Sequence, residues 1–252
     1  MIIAEIGINH MGSYEILEEY IDVLSKIDID AISIQVRESS FYKDEKWKIF
    51  KISDKDIVSA IRKIKATGKK VCVANCDTEK FRLFDTAGAD FFKILSKDFS
   101  NESFMLSMLS KTDKPLFFST GTSGFDQIDA KLAIIGCHKN QFRLIHTRLS
   151  NSVQDVNLLA IKNMRKRYGD IISFGCHCAN TNVLYTAVGF KPSDYFFYVK
   201  FDDASETIEY PDNFHAIPMS MVGNLVRNIR DLQHTIGRGL KTSSRNTIEG
   251  QE

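Results

Sequence analysis

The sequence predicts a single (β/α)8 TIM barrel, a closed ring of eight parallel strands surrounded by helices. Short apolar, β-branched or aromatic runs alternate with stretches of helical periodicity, and this alternation is typical of parallel strand pairing. The runs recur at intervals of roughly 20 to 40 residues, the length of one strand plus one helix. An open doubly wound sheet would alternate in the same way, but no Gly-x-Gly-x-x-Gly turn follows the first run to support it.

Each predicted strand begins at the start of one apolar run. The runs begin near Ile2, Asp30, Lys70, Asp90, Pro115, Phe142, Ile171 and Ser193. Apolar residues at helical spacing predict helices between them, for example over 14–27, over 57–66 behind the capping residue Ser53, and over 219–234. We therefore expect the barrel to span residues 1–240 and to be followed by a polar, frayed tail over 241–252.

Composition and charge exclude several classes of function. The 252 residues are 43% hydrophobic, which suffices for a large core, and 33 Lys and Arg nearly balance 32 Asp and Glu. We expect no nucleic acid or membrane partner, because a balanced charge creates no field that concentrates polyanions. No apolar run approaches the ~18 residues of a membrane span, and no signal peptide precedes the first strand, so we expect a cytoplasmic protein. The five cysteines, an odd number, are expected to be reduced thiols.

In a parallel barrel the functional face lies at the carboxyl ends of the strands, where the following loops meet. Polar residues collect at these positions. They are Glu5, Asn9 and His10 on the first strand, Gln35 and Arg37 on the second, Asn75 and Asp77 on the third, Lys93, Ser96 and Asp98 on the fourth, Ser119 on the fifth, His146 and Arg148 on the sixth, His177 on the seventh and Lys200 on the eighth. This mixture suits a small anionic ligand with carboxylates nearby for proton transfer.

Several blocks of the sequence resemble the sialic acid synthases, also called N-acetylneuraminate synthases. Residues 3–12 (IAEIGINHMG) are similar to the family's opening IAEIGxNHNG, and residues 30–35 (DAISIQ) to its DAVKFQ strand. The other similar blocks are 92–98 (FKILSKD, similar to FKIGSGE/D), 118–123 (FSTGTS, similar to LSTGMS), 154–158 (QDVNL, similar to EDVNL), 176–177 (CH, similar to the DH of GYSDHT) and 211–212 (PD of GPDH). The blocks follow the family's order over almost the entire chain.

The resemblance implies a condensation of phosphoenolpyruvate with an aldose or acylamino sugar, giving a 2-keto-3-deoxy sugar acid. In this family a divalent cation, manganese or magnesium, polarises the sugar aldehyde because an alkoxide develops there. The resemblance implies that Lys93, Ser96 and Ser119 bind phosphate or carboxylate oxygens and that Gln35 contacts the substrate. It implies that Asp98 orients or deprotonates the water and that Glu5 contacts a metal-bound water. His177 would be a metal ligand, and Asp212 would contact the sugar hydroxyls.

The sequence departs from the family pattern at the expected cation. The family's second metal histidine falls on Lys200, and a cationic ammonium cannot coordinate a metal. Either His177 holds a metal with another donor such as Cys176 or Glu5, or the site is metal-independent and Lys200 supplies the positive charge. We favour the second alternative, so the predicted catalytic residues are Glu5, Asp98 and Lys200.

The substrate positions depart from the pattern as well. The phosphate-contacting lysine of the family is Ser33 here, and Arg37 or Arg148 would compensate for the lost cation. The family's Tyr-Pro segment after the sixth strand is shortened to residues 149–152, so we expect a different acceptor. The family normally continues into a small antifreeze-like domain where this chain stops. We therefore expect no such domain and no dimer swapped through it, while another homo-oligomer stays open.

Several candidates also have a structural interpretation. Asp98 suits the capping of a helix N-terminus as well as it suits catalysis. His177 lies between Cys176 and Cys178 as in a zinc site, but successive strand residues point to opposite sides and cannot all bind one ion. The remaining histidines are expected to be buried and hydrogen-bonded (His10, His146) or structural or exposed (His138, His215, His234).

Three functional hypotheses follow. The leading one is a carbon–carbon bond-forming transferase of sugar-acid biosynthesis whose partners are phosphoenolpyruvate and a sugar. The second is a lyase or isomerase on a phosphorylated or carboxylated sugar, which Ser33 and Lys200 motivate. The third is a catalytically silent subunit that accompanies an active synthase.

Overall fold

The computed structural model of the protein describes residues 1–135, 142–202 and 209–237. The predicted tail over 241–252, together with Cys137 and His138, lies outside these ranges. The strands of the described chain are β1 (Ile2–Gly7), β2 (Ala31–Val36), β3 (Lys70–Asn75), β4 (Phe91–Ile94), β5 (Leu116–Ser119), β6 (Phe142–Thr147), β7 (Ile172–Cys176), β8 (Tyr195–Lys200) and β9 (Ile217–Pro218). Each of the first eight begins within two residues of its predicted position.

The first eight strands close into a barrel. They pair in parallel in sequence order, and β1 pairs with β8 through the register Ile2↔Tyr195. This pairing excludes the open doubly wound sheet, in which the first and last strands would stay apart. The two residues of β9 extend the carboxyl end of β8, where Val199 pairs with Ile217. The predicted (β/α)8 barrel is confirmed.

Helices connect the strands and cover the outside of the barrel. They are α1 (Tyr14–Leu24), α2 (Glu45–Lys48), α3 (Asp54–Ala66), α4 (Phe81–Ala87), α5 (Ser96–Phe99), α6 (Glu102–Leu109), α7 (Phe125–Ile135), α8 (Leu159–Tyr168), α9 (Thr181–Val188) and α10 (Met219–Ile236). Side-chain caps explain where two of them begin. Ser13 Oγ accepts a hydrogen bond from the Ile16 N–H before α1, and Ser53 Oγ accepts one from the Asp56 N–H before α3.

The main core lies between the barrel and its helices. The buried face of α10 illustrates it, because Val222, Leu225, Val226 and Ile229 recur at three- and four-residue spacing and are at most 1% exposed. Burial of these side chains supplies the main driving force for closing the barrel. Among the described residues, no helix is both long and apolar enough to cross a membrane.

Candidate active site

Side chains that point into the barrel form an apolar floor with a polar layer above it. The floor consists of Ile3, Ala31, Cys72, Phe91, Phe117, Ile145 and Phe196. Alternate residues of a strand face the same side, so the next inward positions toward the carboxyl ends follow two residues later. They are Glu5, Ser33, Ala74, Lys93, Ser119, Thr147 and Tyr198, all buried. The strand periodicity thus places ionisable and hydroxyl groups directly under the mouth of the barrel.

Glu5 and Lys93 form a buried ion pair at the centre of this layer. The Lys93 Nζ lies 2.6 Å from Glu5 Oε1 and 2.7 Å from Oε2. Their side chains are only 3% and 4% exposed, and the ammonium also lies 5.2 Å from the ring centroid of Phe196 and 5.5 Å from that of Tyr198. Because both groups are removed from water, loss of either partner would leave the other buried without compensation. The structure therefore places Lys93 on a carboxylate, where the sequence predicted a ligand anion.

Hydroxyl and amide groups from β4, β5 and β6 gather on one side of the pair. Ser96 Oγ accepts a hydrogen bond of 3.1 Å from the Gly121 N–H, and the Thr122 hydroxyl donates one of 2.9 Å to the Ser96 carbonyl oxygen. The hydroxyl oxygens of Ser119 and Thr147 are buried without a hydrogen-bond partner. Unpaired buried hydroxyls are costly unless a ligand or water pairs with them. This side of the mouth is therefore suited to a polar ligand.

A chain of alternating charges lines the rim at β2 and β4. Arg37 donates to Glu38 at 3.1 Å and its guanidinium stacks on the Phe41 ring at 3.8 Å. Lys97 joins Glu38 (3.1 Å) to Asp98 (2.9 Å). Burial raises the pKa of Glu38, but the hydrogen bonds from Arg37 and Lys97 outweigh it and bring the pKa to about 2. Arg37 is thus already paired with a carboxylate.

Asp98 is positioned at this rim as an acceptor. It lies in α5, and its Oδ1 accepts from Lys97 while its Oδ2 is buried without a hydrogen-bond partner. No side-chain cap is observed for α5, so helix capping does not account for this carboxylate.

Two further predicted substrate contacts lie on β2 and after β6. Gln35 is buried on β2. Arg148 is exposed beside a crevice of about 180 Å³ that Gly121, Thr147 and Asn157 also line.

Residues 211–215, hereafter the 211–215 segment, pack against the ends of β1 and β8. The Asp212 N–H donates a 3.0 Å hydrogen bond to Asn9 Oδ1, and the Asn9 amide donates one of 2.9 Å to the Val199 carbonyl oxygen. Lys200 Nζ donates to both the backbone and side-chain oxygens of Asn213. The predicted catalytic ammonium is thus engaged in holding this segment on the barrel.

The 211–215 segment brings a second imidazole beside His177. The rings of His177 and His215 are stacked with centroids 4.7 Å apart, and both contact the ring of Tyr198, at 5.4 Å and 4.6 Å. His215 Nε2 lies 3.4 Å from Asp212 Oδ1. Burial, with further contributions from His215 and Lys93, lowers the pKa of His177 to about 3, so its imidazole is neutral.

His10 lies at the edge of this group. Its Nδ1 accepts a hydrogen bond from the Gly12 N–H, and its Nε2 is buried without a partner. Burial lowers its pKa to about 4, although the carboxylate of Asp212 opposes this shift.

His146 lies on β6 in a different environment. It is buried, and its Nε2 lies 3.0 Å from the Val156 carbonyl oxygen. The expectation that His146 is a buried, hydrogen-bonded histidine is confirmed.

The donor set does not fit the divalent cation that the resemblance implies. Lys200 occupies the position of the family's second metal histidine, and its ammonium has no lone pair to donate. Across residues 1–135, 142–202 and 209–237, no group of three or more His, Cys, Asp or Glu side chains is arranged to hold a metal ion. Cys176 donates its thiol hydrogen to the Cys178 carbonyl oxygen at 3.2 Å, and burial raises its pKa to about 12, so in this structure it is a buried, hydrogen-bonded thiol.

The structure gathers some predicted residues and adds others. Glu5 contacts Lys93, Ser119 lies in the same inward-facing layer, and Ser96, at the start of α5, accepts from the loop after β5. For His215, expected to be structural or exposed, the structure shows a side chain that is only 15% exposed and stacks on His177. The sequence did not predict that contact. Thr147 was not predicted as a site residue either. Its signal in the sequence is its alternation with Ile145 on β6, which places both side chains inside the barrel.

Asn9 provides a test of how the 211–215 segment is held. Replacing Asn9 with Asp is expected to lower the free energy of unfolding by about 1–3 kcal/mol, because the buried Val199 carbonyl then faces an oxygen in place of its N–H donor. The measurement is equilibrium urea unfolding. Asn101→Asp is the matched control, since Asn101 only accepts from the Phe104 N–H at the exposed start of α6, and a carboxylate accepts equally well. Equal stability of both variants would contradict the prediction.

Comparison with known protein families gives one match along most of the chain. A model of the NeuB family matches residues 23–241. Among individual proteins, an N,N'-diacetyllegionaminic acid synthase of Legionella pneumophila is 23% identical over 98% of this chain and 76% of its own length. A protein of the same name from Campylobacter jejuni is 21% identical over 97% of this chain and 80% of its own length.

Solved structures agree on the fold. The crystal structure of an N-acetylneuraminic acid synthetase from Leptospira borgpetersenii, in complex with citrate, superposes with a TM-score of 0.88 at 20% identity, covering 96% of this chain and 87% of that one. A truncated 3-deoxy-D-arabino-heptulosonate 7-phosphate synthase from Thermotoga maritima superposes with a TM-score of 0.72 at 13% identity, covering 94% and 87%. At these identities the likeness concerns the barrel itself.

Proposed function

Because this chain belongs to the NeuB family, we propose that it is a transferase that condenses phosphoenolpyruvate with an aldose or acylamino sugar. The product is a 2-keto-3-deoxy sugar acid and the by-product is inorganic phosphate. The observation that carries the proposal is the Glu5–Lys93 pair under the mouth of the barrel, with the buried Ser119 in the same inward-facing layer and the buried Ser96 just after β4, all within the family's blocks. Relatives named as diacetyllegionaminic acid synthases support an acylamino sugar as the acceptor class.

The bonds change as follows in the proposed reaction. The enol carbon of phosphoenolpyruvate forms a bond with the sugar's aldehyde carbon, and the aldehyde oxygen becomes a hydroxyl. Water adds to the second carbon of phosphoenolpyruvate, and the bond from that carbon to the phosphate oxygen then breaks, which leaves a ketone. One proton of the water ends on the new hydroxyl and the other on the released phosphate.

The chain's own residues have the following roles in the proposal. Lys93, held by Glu5, presents a fixed positive charge to the carboxylate or phosphate of phosphoenolpyruvate, and the hydroxyls of Ser96 and Ser119 pair with its oxygens. Asp98 accepts the proton of the attacking water, for which its unpaired Oδ2 is placed. Asp212 contacts the acceptor's hydroxyls. Arg37, Arg148 and Gln35 lie at the rim and contribute to substrate binding.

The direct test is phosphate release from phosphoenolpyruvate in the presence of a panel of acylamino and neutral sugars. We expect release with at least one acylamino sugar and a raised melting temperature with phosphoenolpyruvate alone. No release across the panel, with and without added manganese, would contradict the proposal. A sugar phosphate that stabilises the protein when phosphoenolpyruvate does not would favour the lyase or isomerase. Activity that requires a second protein would favour the silent subunit.

Asp98 is the residue whose proposed role is easiest to separate from folding. Asp98→Asn is expected to reduce kcat by about 10²-fold, because an amide cannot take the proton of the attacking water. The KM for phosphoenolpyruvate should change little. Asp231→Asn, on the exposed face of α10, is the matched control and should retain the full rate. A D98N variant with unchanged kcat would assign the carboxylate to its ion pair with Lys97 alone.

A further inference from the structure

We infer that His215 is a further substrate-contacting residue, which together with His177 binds the acceptor's carbonyl oxygen in place of a divalent cation. This inference rests on the proposed function and names the group that stabilises the oxygen while the carbon–carbon bond forms. It assigns that role to residues on two different elements, the end of β7 and the 211–215 segment. The family blocks that the sequence resembles end at Asp212 and do not include His215.

The residues around strand eight differ from the family pattern in where they carry a cation and an imidazole. Lys200 stands where the family carries an imidazole, and its ammonium donates to both oxygens of Asn213. His215, two residues after Asn213, stacks its imidazole on His177 with the ring centroids 4.7 Å apart. The lysine therefore fixes the segment that carries this ring. An imidazole thus lies beside His177, but on a different part of the chain from the family's strand-eight histidine.

Three contacts fix the 211–215 segment on the barrel. The Asp212 N–H donates to Asn9, Lys200 donates to Asn213, and the ring of His215 contacts the Tyr198 ring edge-on, at 4.6 Å and 87°. A donor that is held by several contacts needs little reorganisation when charge develops on a bound oxygen. The segment is therefore suited to present a side chain in one orientation.

The 211–215 segment is partly exposed and carries polar atoms without hydrogen-bond partners. The side chains of Asp212 and His215 are 18% and 15% exposed, so part of each is accessible from solvent. The buried Nε2 atoms of His10 and His215 and the Oδ2 of Asp212 make no hydrogen bond. A carboxylate flanked by imidazoles pairs well with a polyhydroxylated ligand, whose hydroxyls donate to the carboxylate and accept from ring N–H groups. An acylamino sugar in its open form offers both hydroxyls and a carbonyl oxygen.

The chemistry follows from hydrogen bonding alone. A neutral imidazole N–H can polarise a carbonyl, and it does so most effectively where bulk water is excluded. In this site the developing negative charge on the oxygen would face two ring N–H groups, with Lys93 as a further positive charge near His177. A dication bound between the rings would instead face the positive charge of Lys93, and the described residues offer it no group of three or more His, Cys, Asp or Glu donors.

The experiment compares His215→Ala, His215→Gln and the control His234→Ala, which changes an exposed histidine on α10. Each protein is purified without chelator. Bound metal is measured by mass spectrometry, acceptor binding by calorimetry, and phosphate release with and without EDTA. We expect wild type to hold far less than one metal per chain and to be insensitive to EDTA. We expect H215A to lose about 10²-fold in kcat/KM for the acceptor with an unchanged KM for phosphoenolpyruvate, and H215Q to recover part of the loss through its N–H donor.

The outcomes separate this inference from the proposed function. One manganese or zinc per chain in wild type that H215A and H215Q both lose would overturn the inference and identify a metal ligand. Wild-type kinetics and acceptor binding in H215A would overturn it as well. If no sugar supports phosphate release, the proposed function fails. The inference is then decided by metal content and by whether H215A weakens calorimetric sugar binding relative to H234A.

Discussion

Replacing Lys93 with Met is expected to lower the free energy of unfolding by about 3–5 kcal/mol and to abolish phosphate release. The physical reason is that Glu5, 2–3% exposed, loses the ammonium that contacts both of its carboxylate oxygens and stays buried without compensation. Equilibrium urea unfolding measures the stability, and phosphate release measures the activity. The loss of activity follows because the fixed positive charge at the mouth is removed.

The double variant Glu5→Gln with Lys93→Met is the control. It removes both charges and retains similar volumes, so most of the lost stability should return while activity stays absent. This separation distinguishes a buried pair that serves the site from one that merely holds the barrel together. A single K93M variant as stable as wild type would show that the pair is not desolvated as the structure has it.

Replacing Gly7 with Ala is expected to lower the free energy of unfolding by about 2–5 kcal/mol and to displace the 211–215 segment. Gly7 has φ +61, and a Cβ there would lie 2.4 Å from Asp212 Oδ2 and 2.9 Å from the Tyr198 ring. The cost combines left-handed strain of about 1–2 kcal/mol with overpacking of about 1–3 kcal/mol. Urea unfolding measures stability, and the KM for the acceptor reports the displacement of Asp212.

Gly68→Ala separates these two contributions. Gly68 has φ +81, but a Cβ there would meet no atom within 4 Å, so its substitution carries the backbone strain alone. We expect a loss of about 1–2 kcal/mol with unchanged kinetics. If G7A and G68A cost the same and G7A retains the wild-type KM for the acceptor, then the 211–215 segment does not pack on β1 as described.

Much of the fold was predictable because it depends on local patterns. The apolar runs and the caps at Ser13 and Ser53 are properties of neighbouring residues, and both caps accept the hydrogen bonds that cap residues make. The predicted helix over 14–27 ends earlier, at Leu24. Residues beyond Leu24 turn toward β2, and sequence periodicity does not determine helix ends to better than a few residues.

The candidate site was predictable only in part. Glu5, Lys93 and Ser96 were predicted to share one face because the strand ends of a barrel meet there, and that rule needs no coordinates. Their pairing was not found, because strand position does not specify whether a lysine contacts a ligand or a carboxylate from a strand 88 residues away in sequence. The stacking of His215 on His177 was not predicted for a similar reason, since His215 belongs to an irregular segment without strand or helix periodicity.

Periodicity and the order of motifs were sufficient to predict the eight-stranded barrel and the rim on which its polar residues gather. They were sufficient because hydrophobic patterning and strand polarity are encoded within short stretches of chain. Coordinates were needed to learn that Glu5 holds the Lys93 ammonium, that Lys200 holds Asn213, and that His215 stacks on His177. These contacts join residues that are distant in sequence or lie in irregular segments, so they depend on strand register, closure and loop packing, which no local pattern specifies.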